Sequence, residues 1–224
     1  MLIAFDPLEA LGRFGAIEPR NMGEMAEIRQ SGMKFDLASY RLEGVGYFST
    51  IRTKAMLGLM KMESLILTPL EVDMPLMSYD VMHLPGRDLV LLEMYDTQIT
   101  PADRGDTEAF AGLLEVKKRY AHLPERETPP GCSAEMLLPP SIGKMGRGLL
   151  KKAGSMATEW LEAYLALLSE APKCDREEKR QATKRYTDRL FSEGGMAVDR
   201  FKKMLGEEAA VKLLGEYIFC SEAP

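Results

Sequence analysis

The segment MPLMSYDVMHLPGRDLVLLEMYDTQ, from Met74 to Gln98, predicts the centre of the fold. It is typical of two apolar strands joined by a tight turn at Pro85-Gly86, because proline and glycine favour the turns that connect antiparallel strands. Asp80 stands within the first strand, between apolar and aromatic neighbours. Charged side chains are mostly exposed in folded proteins, so a carboxylate at this position suggests a functional role.

Strand-like segments also precede this hairpin. SYRLEGVGYFSTIRTKAML at 39–57 and MESLILTP at 62–69 follow one another at hairpin spacing, which indicates an antiparallel meander. Several of these strands are apolar on both faces, as in LILT and LVLLEM. Both faces of the predicted sheet therefore have to be covered by other elements.

Helical patterns dominate the second half of the chain. Predicted helices lie within 106–123, over 147–170, from Asp175 to the stop at Gly194-Gly195, and in AVDRFKKMLG (197–206) and EEAAVKLLGEYIF (207–219). A weaker pattern suggests a further helix over Glu24–Gln30. We find no internal repeat, low-complexity tract or linker, and we predict a single α+β domain over residues 1–224.

Composition limits the class of protein. The chain has 224 residues, of which 46% are hydrophobic, and this is enough for a sizeable core. No apolar run approaches the roughly 20 residues that span a bilayer. The first residues carry Asp6 and Glu9 and no basic leader, so we expect a cytoplasmic protein without a membrane partner. The net charge of −5 argues against a nucleic acid as partner.

The residues that usually bind metals are few and scattered. The three cysteines, Cys132, Cys174 and Cys220, form no Cys-x-x-Cys pair, and His83 and His122 lie in unrelated places. A metal centre would need to be built almost entirely from carboxylates. We therefore predict no metal site and no disulfide framework.

No motif for a bound cofactor occurs either. The glycine-rich stretch GKMGRG at 143–148 lacks the spacing of a phosphate-binding loop. No Gly-x-Ser-x-Gly nucleophile elbow is present. We predict that the protein works without a bound cofactor.

Acids within apolar strands are the strongest chemical signal. They are Glu63, Asp80, Glu93 and Asp96. Burial disfavours the charged form of a carboxyl group, so such an acid can hold a proton near neutral pH and donate it. The alternative for each is an exposed position at a strand edge. Asp80 has the most apolar neighbours and is the leading candidate.

Methionines and basic residues leave two further questions open. The sixteen methionines either pack the core or line a pocket for a large apolar ligand. The region 141–206 holds 14 Lys/Arg and 9 Asp/Glu on an otherwise acidic chain. This basic surface either faces water or docks an acidic partner.

Several segments, taken in order, resemble one family. They are Arg52 in STIRTK, SLILTP (64–69), Pro75 to Met82, Asp96-Thr97-Gln98, KKRYAHLP (117–124), EWLEAYLALLSEA (159–171) and MLGEEAAVKLLGEYIF (204–219). On these motifs the chain resembles the ferredoxin-dependent bilin reductases and the related red chlorophyll catabolite reductase. The resemblance extends over about residues 35–219.

The resemblance implies a fold and a binding mode. The fold is a three-layer α/β/α sandwich with a central antiparallel sheet, and an open tetrapyrrole lies between the sheet and the C-terminal helices. The family binds no metal or flavin and takes single electrons from ferredoxin. Its catalytic aspartate falls on Asp80, and its His or Asn partner falls on Ser64. The glycine before the aspartate is replaced by Ser78, and Glu135 matches a second acid of the family.

The leading hypothesis is therefore a reductase of a linear tetrapyrrole such as biliverdin. Asp80 donates the proton, and Ser64 and Glu63 hold the polar edge of the substrate. In this hypothesis Arg52 or Lys54 pairs with a propionate, and an acidic iron–sulfur protein docks near the basic C-terminal helices. The substrate-binding residues that we predict are Arg52, Lys54, Met77, Met82 and Glu135. The alternatives are a tetrapyrrole carrier without turnover and a reductase of another conjugated substrate.

Overall fold

An antiparallel sheet runs through the structure, a computed structural model that describes residues 2–3, 5–30, 32–100, 108–128 and 132–223. Its strands are β1 (Ile17–Pro19), β2 (Glu27–Gln30), β3 (Met33–Leu42), β4 (Gly46–Ala55), β5 (Met60–Pro69), β6 (Leu76–Leu84), β7 (Arg87–Tyr95) and β8 (Ile142–Gly146). The order across the sheet is β1-β3-β4-β5-β6-β7-β8, and β2 pairs with β3 beside β1. From β3 to β7 each strand is therefore next to its neighbour in sequence, as the meander pattern predicted.

Helices occur before β1, between β7 and β8, and after β8. They are α1 (Pro7–Gly12), α2 (Ala111–Arg119), α3 (Cys132–Met136), α4 (Leu150–Glu170), α5 (Arg176–Glu193), α6 (Met196–Leu205) and α7 (Glu207–Lys212). A π-helical turn, Leu213–Ile218, continues α7. Asp175 caps α5 by accepting a hydrogen bond from the Glu178 backbone, and Gly194 ends the helix with a φ of 84°.

One face of the sheet packs against α2 and α4, and we call it the α4 face. Its core includes Leu65, Met77, Tyr79, Leu92, Trp160 and Tyr164. The Trp160 indole donates a hydrogen bond to the Pro140 carbonyl at 3.0 Å, and the Tyr164 hydroxyl donates to that of Pro75 at 2.8 Å. Both polar tips are thus satisfied inside an apolar core.

The opposite face packs against α5, α6 and α7, and we call it the α5 face. Its core includes Leu37, Ile66, Leu76, Tyr95, Tyr186, Leu213 and Ile218. Helices therefore cover the sheet on both sides, and the predicted α+β sandwich with a central antiparallel sheet is confirmed. The central strands carry apolar side chains on both faces, which explains why a helical layer forms on each side.

A buried lysine fixes α5 to the segments on either side of the central hairpin. The Lys179 ammonium donates to the carbonyl oxygens of Met74 at 2.7 Å and Thr97 at 2.5 Å. Its nitrogen also lies 3.4 Å from the Asp73 carboxylate. Burial lowers the pKa of Lys179 to about 8, although the Asp73 charge opposes this shift.

One local prediction from the sequence is wrong, and one strand was not predicted. The helix expected over Glu24–Gln30 is a 3₁₀ turn at Gly23–Ala26 followed by strand β2. The pairing of β2 with β3 takes precedence over the weak helical pattern. The sequence pattern also does not reveal strand β8, which contains the first four residues of GKMGRG and whose partner β7 lies about fifty positions earlier. Pairing over such a separation leaves little trace in the local pattern.

No helix in the described part of the chain combines the length and the apolar character needed to cross a bilayer.

Candidate functional site

Asp80 lies on the α5 face, in a row of side chains that crosses four strands. The row consists of Ser64 on β5, Asp80 on β6, Leu91 on β7 and Gly143 on β8, each the direct cross-strand partner of the next. Strand alternation sends these residues to the same face. The Asp80 side chain is half-buried, whereas Ser64 is fully buried.

Two serines hold the Asp80 carboxylate. The Ser64 hydroxyl donates a hydrogen bond to its Oδ1. The Ser78 hydroxyl, two residues earlier on the same face, donates to Oδ2 at 2.7 Å. Each carboxylate oxygen thus accepts one hydroxyl, so the orientation of the carboxyl group is fixed.

The pKa of Asp80 reflects opposing effects. Burial raises the pKa above the ordinary value of an aspartate. The hydrogen bonds from Ser64 and Ser78, together with the positive charge of Arg126, act in the other direction. The net direction is upward, which makes a protonated Asp80 more accessible near neutral pH.

Apolar side chains next to Asp80 leave part of the α5 face uncovered. The next row along the strands contains one residue from each of β5 to β8: Met62, Met82, Leu89 and Met145. Leu89 is buried, but the three methionines are only half-buried, and so is Leu91 from the row of Asp80. We call these four half-buried residues the methionine strip. Flexible, polarizable side chains of this kind adapt well to a flat apolar ligand.

On the other side of Asp80 lies a second acid, Glu93. It is the cross-strand partner of Ser78, which places it diagonally opposite Asp80 on the same face. Diagonal neighbours of this kind have Cα atoms about 7–8 Å apart. The Tyr95 hydroxyl donates to Glu93 at 2.7 Å, and an Arg126 guanidinium nitrogen lies 3.9 Å from the other oxygen.

Glu93 is buried and titrates far from its usual range. Burial raises the pKa of Glu93 to about 7, and the charge of Asp80 adds to this increase. The Tyr95 hydrogen bond and the Arg126 charge reduce it. The two carboxyl groups interact, so they titrate as a pair.

Arg126 reaches this cluster from a segment that extends the sheet beyond β8. The Arg126 backbone N–H donates to the Gly143 carbonyl at 3.0 Å, and the Met145 N–H donates to the Pro124 carbonyl at 3.1 Å. Gly143 has no side chain, which leaves room between Leu91 and Arg126. The guanidinium therefore lies on the same face as both acids.

A polar cavity of about 350 Å³ adjoins Glu93. Its lining includes Glu93, Lys117, Glu125, Arg126, Thr128 and Ser141. Burial lowers the pKa of Lys117, whose ammonium donates to the Pro139 carbonyl at 2.7 Å. The cavity therefore combines acids that can exchange protons with cations that can bind a carboxylate.

The chemistry of the site is acid–base chemistry next to an apolar surface. A protonated Asp80 can donate to a ligand lying on the methionine strip, and Glu93 provides a second titrating group close by. Among the described residues, no three His, Cys, Asp or Glu side chains converge in a way that could hold a metal ion.

Three of the predicted site residues lie on the opposite side of the sheet. Glu63, Arg52 and Lys54 occupy the α4 face, because neighbouring positions on a strand point to opposite faces and no bulge interrupts β5. The Glu63 carboxylate accepts hydrogen bonds from the backbone N–H groups of Leu2 at 2.7 Å and Ile3 at 2.9 Å. The structure thus does not bring these three residues to Asp80.

The remaining predicted residues divide between the two faces. Met82 belongs to the methionine strip, whereas Met77 is fully buried in the core of the α4 face. Glu135 lies on α3 at the surface, where its carboxylate pairs with Arg189 of α5 at 2.7 Å. Ser64 lies directly beside Asp80, as the resemblance implied.

Sequence reasoning missed the roles of Arg126 and Tyr95. Arg126 comes from a loop 46 positions after Asp80, and no local pattern marks it. The sequence marks Glu93 as an acid in an apolar strand, and the strand register is the signal that relates it to Asp80. In a hairpin with its turn at Pro85-Gly86, the residue opposite Glu93 is Ser78, two before Asp80.

Comparison with known proteins supports the fold. No family model matches the chain, and no curated protein matches it. Among solved structures, the crystal structure of SeMet-phytochromobilin synthase from tomato in complex with biliverdin has a similar fold, with a TM-score of 0.77. The alignment covers 96% of this chain and 80% of that chain at 14% sequence identity. The fold that the sequence resemblance implied is therefore confirmed.

Proposed function

We propose that this protein binds a linear tetrapyrrole on the methionine strip and reduces it. Electrons arrive one at a time from an external iron–sulfur protein of the ferredoxin class, and Asp80 donates a proton to the bound pigment. Reduction of one double bond consumes two electrons and two protons. No bound metal or flavin takes part in this proposal.

The observation that carries the proposal is the environment of Asp80. A carboxyl group held by Ser64 and Ser78 lies next to four half-buried apolar side chains, with its pKa raised. A carboxylate with only a structural role would gain no stability from half-buried apolar neighbours. The likeness to the fold of a protein solved with biliverdin bound supports the choice of a tetrapyrrole.

Glu93 suits the need for a second proton. It lies one diagonal step from Asp80, and its pKa of about 7 allows it to be protonated at neutral pH. Ser78, which donates to Asp80, is its cross-strand partner. In our proposal Glu93 restores the proton of Asp80 between the two electron transfers, and the polar cavity connects Glu93 with water.

The acidic side groups of the pigment need a cation on the same face. Arg126 takes this role in our proposal in place of Arg52 and Lys54, which lie on the α4 face. Its guanidinium lies 3.9 Å from Glu93 and borders the polar cavity, where a propionate of the pigment can form hydrogen bonds.

The test is an absorbance titration with biliverdin, followed by anaerobic addition of reduced ferredoxin. We expect a saturable complex with a shifted spectrum that converts to a new pigment. Asp80→Asn keeps the shape of the side chain and loses the acidic proton, so it should bind biliverdin and accumulate a partly reduced pigment. Glu63→Gln is the matched control, because it changes a carboxylate on the opposite face, and it should react as the wild type does.

Three results would count against the proposal. Binding without conversion, with both ferredoxin and a small chemical reductant, would indicate a carrier. Equal turnover by Asp80→Asn and the wild type would remove Asp80 from the chemistry. Absence of biliverdin binding would remove this pigment and favour another conjugated substrate.

A further inference from the structure

The tip of the β4–β5 hairpin exposes apolar side chains to water. Met56, Leu57 and Leu59 have relative exposures of 57%, 106% and 62%. These residues follow directly on β4, three to six positions from Met62 of the methionine strip. Large apolar side chains that cluster at an exposed tip mark an interaction surface more often than chance.

The backbone of this tip is strained. Met56 and Leu57 have positive φ angles of 51° and 56°, in the left-handed region that non-glycine residues rarely adopt. Leu57 is fully exposed, so no contact with the described part of the chain compensates for its conformation. Strain of this kind is typical of functional segments, and here it presents the leucine outward.

A row of basic side chains lies beside the tip, on the α4 face. Lys34, Lys54, Lys61 and His83 are successive cross-strand partners on β3 to β6. Lys34 pairs with Asp36 at 2.7 Å, and His83 is hydrogen-bonded to Asp88 at 2.7 Å. Lys54 and Lys61 form no ion pair within the described residues, although they face each other directly. Like charges in this position destabilise a sheet, so an acidic partner would stabilise it.

A groove joins the basic row to the apolar tip. Its volume is about 500 Å³, and its lining includes Arg29, Met33, Lys34, Lys54, Ala55 and Leu57. Cations and apolar side chains therefore alternate on one concave surface, which fits a protein surface that carries acids around an apolar patch.

The C-terminal helices offer a weaker surface for an acidic partner. On α5, Arg180, Lys184 and Arg189 pair with acids of the same helix. Lys144 and Lys179, two further cations of the region 141–206, are buried. Five of the fourteen Lys and Arg residues in this region are therefore either paired within α5 or buried.

We propose that the surface formed by Met56, Leu57, Leu59, Lys54 and Lys61 docks the acidic iron–sulfur protein that supplies the electrons. This inference rests on the proposed function. His83, in the basic row, is three residues from Asp80 along β6, a distance of about 10 Å at the usual rise of a strand. A donor on this surface is therefore close to a pigment on the methionine strip.

The experiment compares two charge reversals of equal size. Lys54→Glu/Lys61→Glu alters the proposed surface, and Arg200→Glu/Lys203→Glu on α6 is the control. Each is assayed for biliverdin reduction with a plant-type [2Fe–2S] ferredoxin and, separately, with reduced methyl viologen, which needs no docking surface. We expect the hairpin variant to raise the KM for ferredoxin at least tenfold and to leave the viologen rate unchanged. The control variant should change the KM less than twofold.

The possible outcomes separate the two proposals. A larger effect of the α6 variant would overturn the hairpin surface and place docking on the C-terminal helices. If the wild type reduces nothing with viologen, the proposed function fails. In that case, titration of each protein with ferredoxin at low salt tests the docking surface independently of turnover. Equal affinity of the wild type and the hairpin variant for ferredoxin would overturn the proposed docking surface.

Leu57→Ser tests other occupants of the tip. Loss of ferredoxin affinity in this variant supports the proposal. Cosedimentation of the wild type with phosphatidylserine vesicles that is lost in Leu57→Ser would instead assign the tip to a membrane. A wild-type dimer that dissociates in Leu57→Ser would assign it to a second copy of the chain. Either of these two results overturns the proposal.

Discussion

Ser64 and Asp80 are direct cross-strand partners, and the Ser64 hydroxyl donates a hydrogen bond to the Asp80 carboxylate. This hydrogen bond stabilises the charged form of Asp80 and so opposes burial, which raises the pKa of this carboxyl group. Ser78 acts in the same direction from the same strand as Asp80. The two serines therefore set how readily Asp80 holds its proton, although neither hydroxyl is a good proton donor itself.

Removal of these hydroxyls should raise the pKa of Asp80 further. In Ser64→Ala/Ser78→Ala the carboxylate loses both donors while burial persists, so its protonated form should persist to higher pH than in the wild type. An infrared titration that follows the carbonyl stretch of the protonated acid measures this shift. Ser49→Ala is the control, because Ser49 donates to the Ile218 carbonyl at 2.9 Å on the same face and not to an acid. An unchanged midpoint in the double variant would contradict the prediction.

Glu93→Gln should alter how stability depends on pH. Burial raises the pKa of Glu93 from 4.5 to about 7, so the native state holds a proton that the unfolded state has released between these values. Glu93 therefore destabilises the wild type increasingly as pH rises from about 4.5 to 7, by at most about 3 kcal/mol. The glutamine variant lacks this loss, and it should gain stability over the wild type from pH 5 to pH 8.

Urea unfolding at a series of pH values measures this difference. Glu162→Gln, an exposed substitution on α4, is the control and should follow the wild type at every pH. Parallel curves for Glu93→Gln and the wild type would show that Glu93 is not the buried titrating group that the structure indicates.

The part of the site that the sequence predicts lies on two adjacent strands, β5 and β6. Asp80 is surrounded by apolar residues in a strand of period two, so its unusual position is visible from local pattern alone. The resemblance to the bilin reductases predicts Ser64 as the partner of the aspartate, and Ser64 is the cross-strand partner of Asp80. Glu63 is adjacent in sequence, yet alternation along β5 turns it to the other face. Arg52, the cross-strand partner of Glu63, lies on that face for the same reason.

The rest of the site depends on contacts that no local pattern contains. Arg126 reaches Glu93 only because the segment around it pairs with β8, and β8 itself pairs with a strand about fifty positions earlier. Strand β8 contains two glycines, which are uncommon in strands, so the sequence pattern does not indicate a strand there. One of them, Gly143, leaves space beside Leu91 because it has no side chain. The fold could be predicted from the sequence because its central strands are consecutive hairpins, whereas the cation of the site could not.

Gly143→Leu should block the proposed ligand site. A Cβ atom at Gly143 would lie 3.5 Å from Leu91 and 3.7 Å from Arg126, which is ordinary contact, so alanine should fit there. A leucine side chain would extend onto the methionine strip and occupy the space of a flat ligand. We expect at least tenfold weaker biliverdin binding for Gly143→Leu and less than a threefold change for Gly143→Ala, measured by absorbance titration. Equal affinity of the two variants would place the ligand elsewhere.

Lys179→Met should destabilise the fold without reference to any ligand. The substitution leaves the carbonyl oxygens of Met74 and Thr97 without their donor and the half-buried Asp73 without its cation. Breaking a buried ionic contact costs about 3–5 kcal/mol, because the remaining charge is uncompensated. Lys184→Met, on the exposed side of the same helix, should cost less than about 1 kcal/mol. A similar loss in both variants, measured by urea unfolding, would contradict the structural role of Lys179.

Leu57→Gly should stabilise the protein, although glycine usually destabilises. The left-handed conformation of Leu57 costs roughly 1–2 kcal/mol, and glycine removes this cost. The exposed leucine side chain makes no packing contribution that would be lost, and the extra freedom of glycine in the unfolded chain costs about 0.5–1 kcal/mol. At the midpoints of these two ranges the expected net gain in urea unfolding is roughly 0.8 kcal/mol. Leu59→Gly is the matched control, because Leu59 is also exposed but has a φ of −69°, and it should lose stability. A loss in both variants would show that Leu57 is not strained, whereas a gain in Leu57→Gly together with weaker ferredoxin binding would show that the protein keeps a strained leucine for its partner.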